Sequence, residues 1–182
     1  MSKVLVLLAE GFEECEALLV VDLLRRAGID VETVSVGDDI NVKSSHSVTI
    51  RADCYAEDAD FNAADMIVLP GGMPGTTNLA TSPIVIQQCC LFSAQKKLAA
   101  ICAAPSVLGS LGILEGKKAI AYPGFEKKLK GAKIIDKNVV TDGNITTARA
   151  LGSGIPFALE LIRALEGDEA SKNVAEQICW RK

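Results

Sequence analysis

Val4–Leu8 is an unbroken apolar run with Lys3 before it and the polar segment Glu10–Glu16 soon after. A run of that length and composition suits a strand covered on both faces, as in a parallel sheet. Glu13–Ala27 then reads as a helix, and Gly28 sits where a helix C-cap belongs. Asp30–Val36 alternates as a second strand. Strand, helix and strand in that order form the crossover unit of a parallel sheet. Asn41–Ile50 reads as a short β-excursion. Asp65–Leu69 is a further buried strand ending in Pro70-Gly71-Gly72-Met73-Pro74-Gly75. A helix over Pro83–Gln95, a strand over Leu98–Ile101 and a helix from about Ala103 to Leu111 follow. A hairpin, Val139–Thr141 with Ile145–Ala148, and helices at Ile155–Leu165 and Asp168–Cys179 complete the chain. The pattern predicts one α/β domain over residues 1–182: a flavodoxin-like, doubly wound sandwich, mostly parallel, with helices on both faces.

The 182 residues are 49% apolar, enough for a large core, and the net charge is −4. The densest positive run, Lys127, Lys128 and Lys130, reads as a solvated helix face, so no nucleic acid partner is expected. The opening MSKVLVLLA is too short in its apolar part for a signal peptide, and no stretch approaches the ~20 residues of a membrane span. A soluble, cytoplasmic protein with no membrane partner is expected. Six cysteines are present, with no C-x-x-C and no Cys/His cluster, so neither a disulfide scaffold nor a metal site is expected.

In doubly wound folds ligands bind at the carboxyl ends of the strands. Three segments leave their strands there: Ala9–Glu16, Pro70–Gly75 and Cys102–Pro105. Cys102 closes a buried strand, small residues follow it, and Pro105 marks the first helical turn. Small neighbours permit a tight turn that pushes a nucleophile outward, and a helix N-terminus favours thiolate. A buried structural cysteine is the plainer alternative. Glu13, Glu14 and Glu16 stand in a first helical turn, and one of them can turn inward beside the thiol; spacing does not choose among them. Pro70–Gly75 lacks a phosphate-binding pattern; it is a turn or a set of backbone donors for an oxyanion. His46 is the sole histidine, so any Cys–His dyad must use it.

Together A-E-G-F-E-E-C-E, L-P-G-G-x-x-G and A-A-I-C-A-A-P resemble the DJ-1/ThiJ/PfpI superfamily, most of all its DJ-1 branch. The resemblance runs from the first strand to the last helix. It implies that Cys102 is the nucleophile, Glu16 its partner acid, and Gly72 and Ala103 the residues whose N–H groups face the site. Ala103 stands where the protease-like branch has histidine, which speaks against protease or amidotransferase activity. Tyr122-Pro123 occupies the place of a further family histidine, making Tyr122 a candidate substitute. Ala104 replaces a family glycine. The implied activity is cofactor-free detoxification of dicarbonyls or of glycated proteins, of the glyoxalase III or deglycase type. The alternative is a redox-sensing, chaperone-like stress protein that works by oxidation of Cys102. A homodimer through the first helix is expected, because Ala17–Leu24 is apolar at all positions but Asp22, and Leu18 and Leu19 would otherwise face outward.

Overall fold

The computed structural model describes residues 1–181. In chain order, β1 (Lys3–Leu8) leads through α1 (Glu14–Arg26) to β2 (Asp30–Ser35). A small hairpin of β3 (Asn41–Lys43) and β4 (Thr49–Arg51) follows, then β5 (Cys54–Tyr55) and β6 (Met66–Leu69). Two helices, α2 (Gly75–Thr81) and α3 (Pro83–Gln95), precede β7 (Lys97–Ile101) and α4 (Pro105–Ser110). Next come β8 (Lys118–Ala119), a 3-10 turn at Glu126–Lys128, β9 (Lys133–Ile134), β10 (Val139–Asp142) and β11 (Ile145–Ala148). A 3-10 turn at Leu151–Ser153 leads into α5 (Gly154–Gln177), which breaks at Gly167, where φ is 90°.

Seven strands form one sheet in the order β10-β11-β7-β6-β1-β2-β5. Every pairing in it is parallel except β10 with β11. The chain winds from β1 outward to β2, then crosses back to β6 and winds the other way to β7. The switch of direction therefore lies between β1 and β6, where an open α/β sheet has its ligand crevice.

β1 shows why its sequence has no polar alternation. Val4, Val6 and Leu8 pack on one face, with Val20 and Leu24 of α1 and Phe157 and Leu161 of α5. Leu5 and Leu7 pack on the other, with Val85 and Phe92 of α3 and Leu108 of α4. Both faces of the strand are dry, so both must be apolar. This is the doubly wound, flavodoxin-like arrangement that the sequence predicts.

One expected boundary is corrected, and the expected outward placement of Leu18 and Leu19 holds for Leu18. The helix after Cys102 begins at Pro105, not Ala103, and runs for only six residues. The apolar face of α1 is largely covered from within the chain: Ala17, Val20, Val21 and Leu24 are buried against the α5 side of the core. Leu19 also meets the start of α5, because its Cδ1 lies 2.8 Å from where a side chain on Gly154 would begin. Leu18 alone on this helix is an exposed large hydrophobic, at 40%. No helix among the described residues is long and apolar enough to cross a membrane.

Candidate active site

Cys102 follows β7 directly and has φ of 65°, in the left-handed region that a residue with a Cβ seldom adopts. Such a conformation costs about 1–3 kcal/mol and persists only where its surroundings impose it. Here both peptide groups of the residue are tied. The Cys102 N–H donates to the Ala148 carbonyl of β11 at 3.0 Å, and the Tyr122 N–H donates to the Cys102 carbonyl at 2.7 Å. The chain turns sharply at the strand end, leaving the thiol half-buried beside the crevice. The backbone N–H groups of Ala103 and Gly72 face the sulfur.

The three glutamates of the first turn of α1 separate into three roles. Glu13 is the N-cap, with its Oε2 accepting from the Glu16 N–H at 2.6 Å. Glu14 points to the β3–β4 hairpin and meets His46 Nδ1 at 3.1 Å. Glu16 turns inward and is 1% exposed. Its Oε2 accepts from the Gly71 N–H at 2.9 Å, and the Leu151 N–H also faces the carboxylate. Of the three acids, the fold brings only Glu16 to Cys102.

Gly71 holds the pair together by having no side chain. A Cβ there would lie 2.5 Å from Cys102 Cβ, 2.7 Å from Glu16 Oε2 and 3.1 Å from Cys102 Sγ. The carboxylate and the thiol thus meet over a bare backbone. Gly72 needs its lack of a side chain for another reason. Its φ is 91°, and a Cβ would lie 2.4 Å from the backbone nitrogen of Glu13.

Burial raises the Glu16 carboxyl to about 7, against the opposing pull of hydrogen bonds from Cys102, Gly71 and Leu151. Burial and then the charge of Glu16 push the Cys102 thiol up to about 12, although the Ala103 and Gly72 N–H groups favour its anion. The upward direction for Cys102 corrects the sequence expectation of a thiol lowered by a helix N-terminus. The six-residue α4 is a weak source of field, and burial of the thiol, with the Glu16 carboxylate packed against it, outweighs that field. Two acids so close lose their protons in well-separated steps. Between about pH 7 and about pH 12 the pair therefore carries one negative charge and shares one proton.

The other cysteines lack this setting. Cys89 is fully buried and burial pushes its thiol to about 12. Cys15 is pushed up by burial and by Glu13, Glu14 and Glu16, and Cys54 by burial, Glu32 and Asp53. All six thiols are free.

Tyr122 reaches Cys102 through its backbone. Its ring is 46% exposed and packs edge-on to Phe125, with centroids 6.4 Å apart. Among the described residues its hydroxyl makes no hydrogen bond with Cys102 or Glu16. His46 is likewise apart from Cys102, in its pair with Glu14. With Glu13 and Glu14 it forms the group whose ligand-type atoms lie within 4.8 Å of one another. Gly71 and Leu151 join the site without having been singled out from the sequence. The paired glycines of Pro70-Gly71-Gly72 were a usable signal for the first, whereas nothing local marks the amide of Leu151.

Residues 2–164 match the model of the DJ-1/PfpI family. The chain belongs to that family. Protein DJ-1 homolog B of Arabidopsis thaliana is 36% identical over 183 residues, covering 99% of this chain. The chain spans only 42% of that relative's length. The glutathione-independent glyoxalase DJR-1.2 of Caenorhabditis elegans is 31% identical over 186 residues, covering 100% of this chain and 97% of the relative. Among solved structures, oxidized Toxoplasma gondii DJ-1 superimposes with a TM-score of 0.96 at 37% identity, over the whole of both chains. The DJ-1/PfpI membership fits the site's position at the switch point between β1 and β6.

Proposed function

We propose that this DJ-1/PfpI protein converts small dicarbonyls to hydroxy acids without a cofactor, in a stress-protective role, through Cys102 and Glu16. The observation that carries the reading is the buried carboxyl packed against the half-buried thiol, with two N–H groups aimed at the sulfur. The reactive form is the one in which the shared proton sits on Glu16, leaving thiolate on Cys102.

With methylglyoxal, the thiolate adds to the aldehyde carbon and the Glu16 proton passes to the aldehyde oxygen, giving a hemithioacetal. The N–H groups of Gly72 and Ala103 stabilise the oxygen as it gains charge. Glu16, now a carboxylate, removes the proton from the former aldehyde carbon, and the electron pair moves towards the neighbouring ketone oxygen to give an enediol. Return of that proton to the second carbon, with the hydroxyl proton of the first carbon passing to the former ketone oxygen, leaves a hydroxyl on the second carbon and a thioester at Cys102. Water cleaves the thioester, releasing lactate and the thiol. One carbon is oxidised as its neighbour is reduced, so electrons balance within the substrate. A carboxyl group near neutrality suits both the acid and the base steps. Early glycation adducts on proteins present the same carbonyl chemistry on a larger substrate.

A second reading is favoured by the same accessible sulfur: oxidation of Cys102 to a sulfinic acid held by protonated Glu16, in a redox-sensing protein. The likeness to an oxidized DJ-1 structure supports it. Six free thiols suit a reducing cytoplasm. The exposed Leu18 on α1 is offered as part of a contact with a second copy of the chain.

The deciding experiment supplies methylglyoxal without glutathione and measures lactate. Enzymatic lactate that disappears in Cys102→Ser supports the catalytic reading. No lactate, together with stoichiometric oxidation of Cys102 by peroxide, favours the sensor.

A further inference from the structure

Three of the large apolar side chains that this chain leaves exposed, Met73, Tyr122 and Leu151, belong to the backbone segments that hold the Cys102–Glu16 pair. Met73 follows Gly72, whose N–H faces the sulfur. The Tyr122 N–H donates to the Cys102 carbonyl at 2.7 Å. The Leu151 N–H faces the Glu16 carboxyl. The three come from separate stretches of chain: the loop after β6, the segment after β8 and the 3-10 turn before α5. An exposed apolar residue standing alone is ordinary, but three on the segments around one thiol are not scattered. Towards α4 the apolar surface continues. The Tyr122 ring packs edge-on against Phe125, and Phe125 and Met73 line one cleft between α2 and α4.

The charges of the site point the same way. Burial, the two partners themselves, Glu13 and backbone N–H groups shift Cys102 and Glu16, and none of these is cationic. His46 is held by Glu14, and Arg149, two residues before Leu151, is paired with Asp136. The pair itself carries a negative charge near neutrality, so a carboxylate or phosphate on the substrate would meet repulsion and no counter-charge. The aldehyde end of a substrate must enter the crevice to reach the half-buried sulfur. Its substituent is then left towards solvent, at the level of the exposed side chains.

We propose that this rim selects carbonyl substrates with a neutral, apolar substituent larger than methyl, an aryl group above all, and that Met73, Tyr122 and Leu151 set the preference. The inference rests on the carbonyl chemistry proposed above for Cys102 and names the substrate class for it. A ring lying across these side chains buries apolar area that a methyl group cannot, which favours it by about tenfold or more.

The first arm of the test needs no turnover. Alkylation of Cys102 by iodoacetanilide is compared with alkylation by iodoacetamide, in which the same carbon loses iodide to the thiolate but no ring is present. Peptide mass spectrometry reads Cys102 apart from the other thiols, and each rate is divided by that of free glutathione with the same reagent. The normalised ratio should favour the anilide about tenfold in the parent and fall towards one in the Met73→Gln, Leu151→Gln double variant. Both side chains are exposed, so the variant leaves the core intact. Leu91→Gln, on the exposed side of α3, should match the parent. The second arm compares kcat/KM for phenylglyoxal, read as mandelate, with that for methylglyoxal, read as lactate; the aryl substrate should lead, and the double variant should lose the lead. A ring preference without turnover of either aldehyde supports the rim and rejects the proposed turnover. A normalised ratio near one in the parent, the same ratio in the double variant, or faster turnover of methylglyoxal would overturn the inference.

Discussion

The Gly71 amide donates to Glu16 Oε2 at 2.9 Å, and the side chain that Gly71 lacks would have occupied the space where Glu16 meets Cys102. One residue thus both orients the acid and makes room for it. Gly71→Ala puts a methyl 2.5 Å from Cys102 Cβ, with no flexible chain end to yield. Overpacking of this kind costs about 1–3 kcal/mol. Denaturant unfolding should show that loss, and carbonyl turnover should fall more than stability does. A Gly71→Ala protein with parental turnover would mean that the two groups need no such approach.

The left-handed backbone of Cys102 predicts an inverted ranking of small substitutions. Alanine normally exceeds glycine in stability. At φ of 65° the Cβ is the source of strain, so Cys102→Gly should be more stable than Cys102→Ala by about 1 kcal/mol. Thermal or urea unfolding of the two variants measures it. Alanine as the more stable residue would contradict a strained turn.

Glu16 makes stability depend on pH. Its carboxyl rises from an ordinary 4.5 to about 7 on folding, so the folded chain binds the proton more tightly. The stabilisation is complete below about pH 4.5 and is lost as pH climbs through about 7. Relative to Glu16→Gln, the parent should lose up to about 3 kcal/mol across that window. Unfolding free energies of both proteins at matched pH values give the difference directly. A parallel pair of curves would show that Glu16 does not carry this shift.

If Leu18 lies in a contact between two copies, sedimentation equilibrium at micromolar concentration should give twice 19.2 kDa. Leu18→Glu should return the single-chain mass without unfolding the core. A parent protein that sediments at 19.2 kDa would sink the dimer.

Much of this was legible before the fold was seen, for reasons specific to each segment. Val4–Leu8 and Asp65–Leu69 announce buried strands, since nothing but two covered faces tolerates such runs. Pro83 at the first turn fixed the start of α3, which spans the predicted Pro83–Gln95. The two-residue strands β5, β8 and β9 left no periodic signal, and α2, with the sequence GTTNLAT, is a poor helix former held by its packing. At the site, the meeting of strand ends was readable, but the sign of the Cys102 shift was not. That sign depends on how far Cys102 itself is buried and on the Glu16 carboxylate packed beside it, and both are tertiary facts.

The sharing of one proton between Cys102 and Glu16 is tested most directly by the pH dependence of Cys102 alkylation by iodoacetamide, in the parent and in Glu16→Gln. The parent should show a step in rate near pH 7, where the pair first becomes anionic and thiolate becomes available. Glu16→Gln should lose that step and titrate as a single thiol, while its carbonyl turnover falls by about 10²–10⁴-fold for want of a proton carrier. The same alkylation profile in both proteins, with no step near pH 7, would contradict the shared proton.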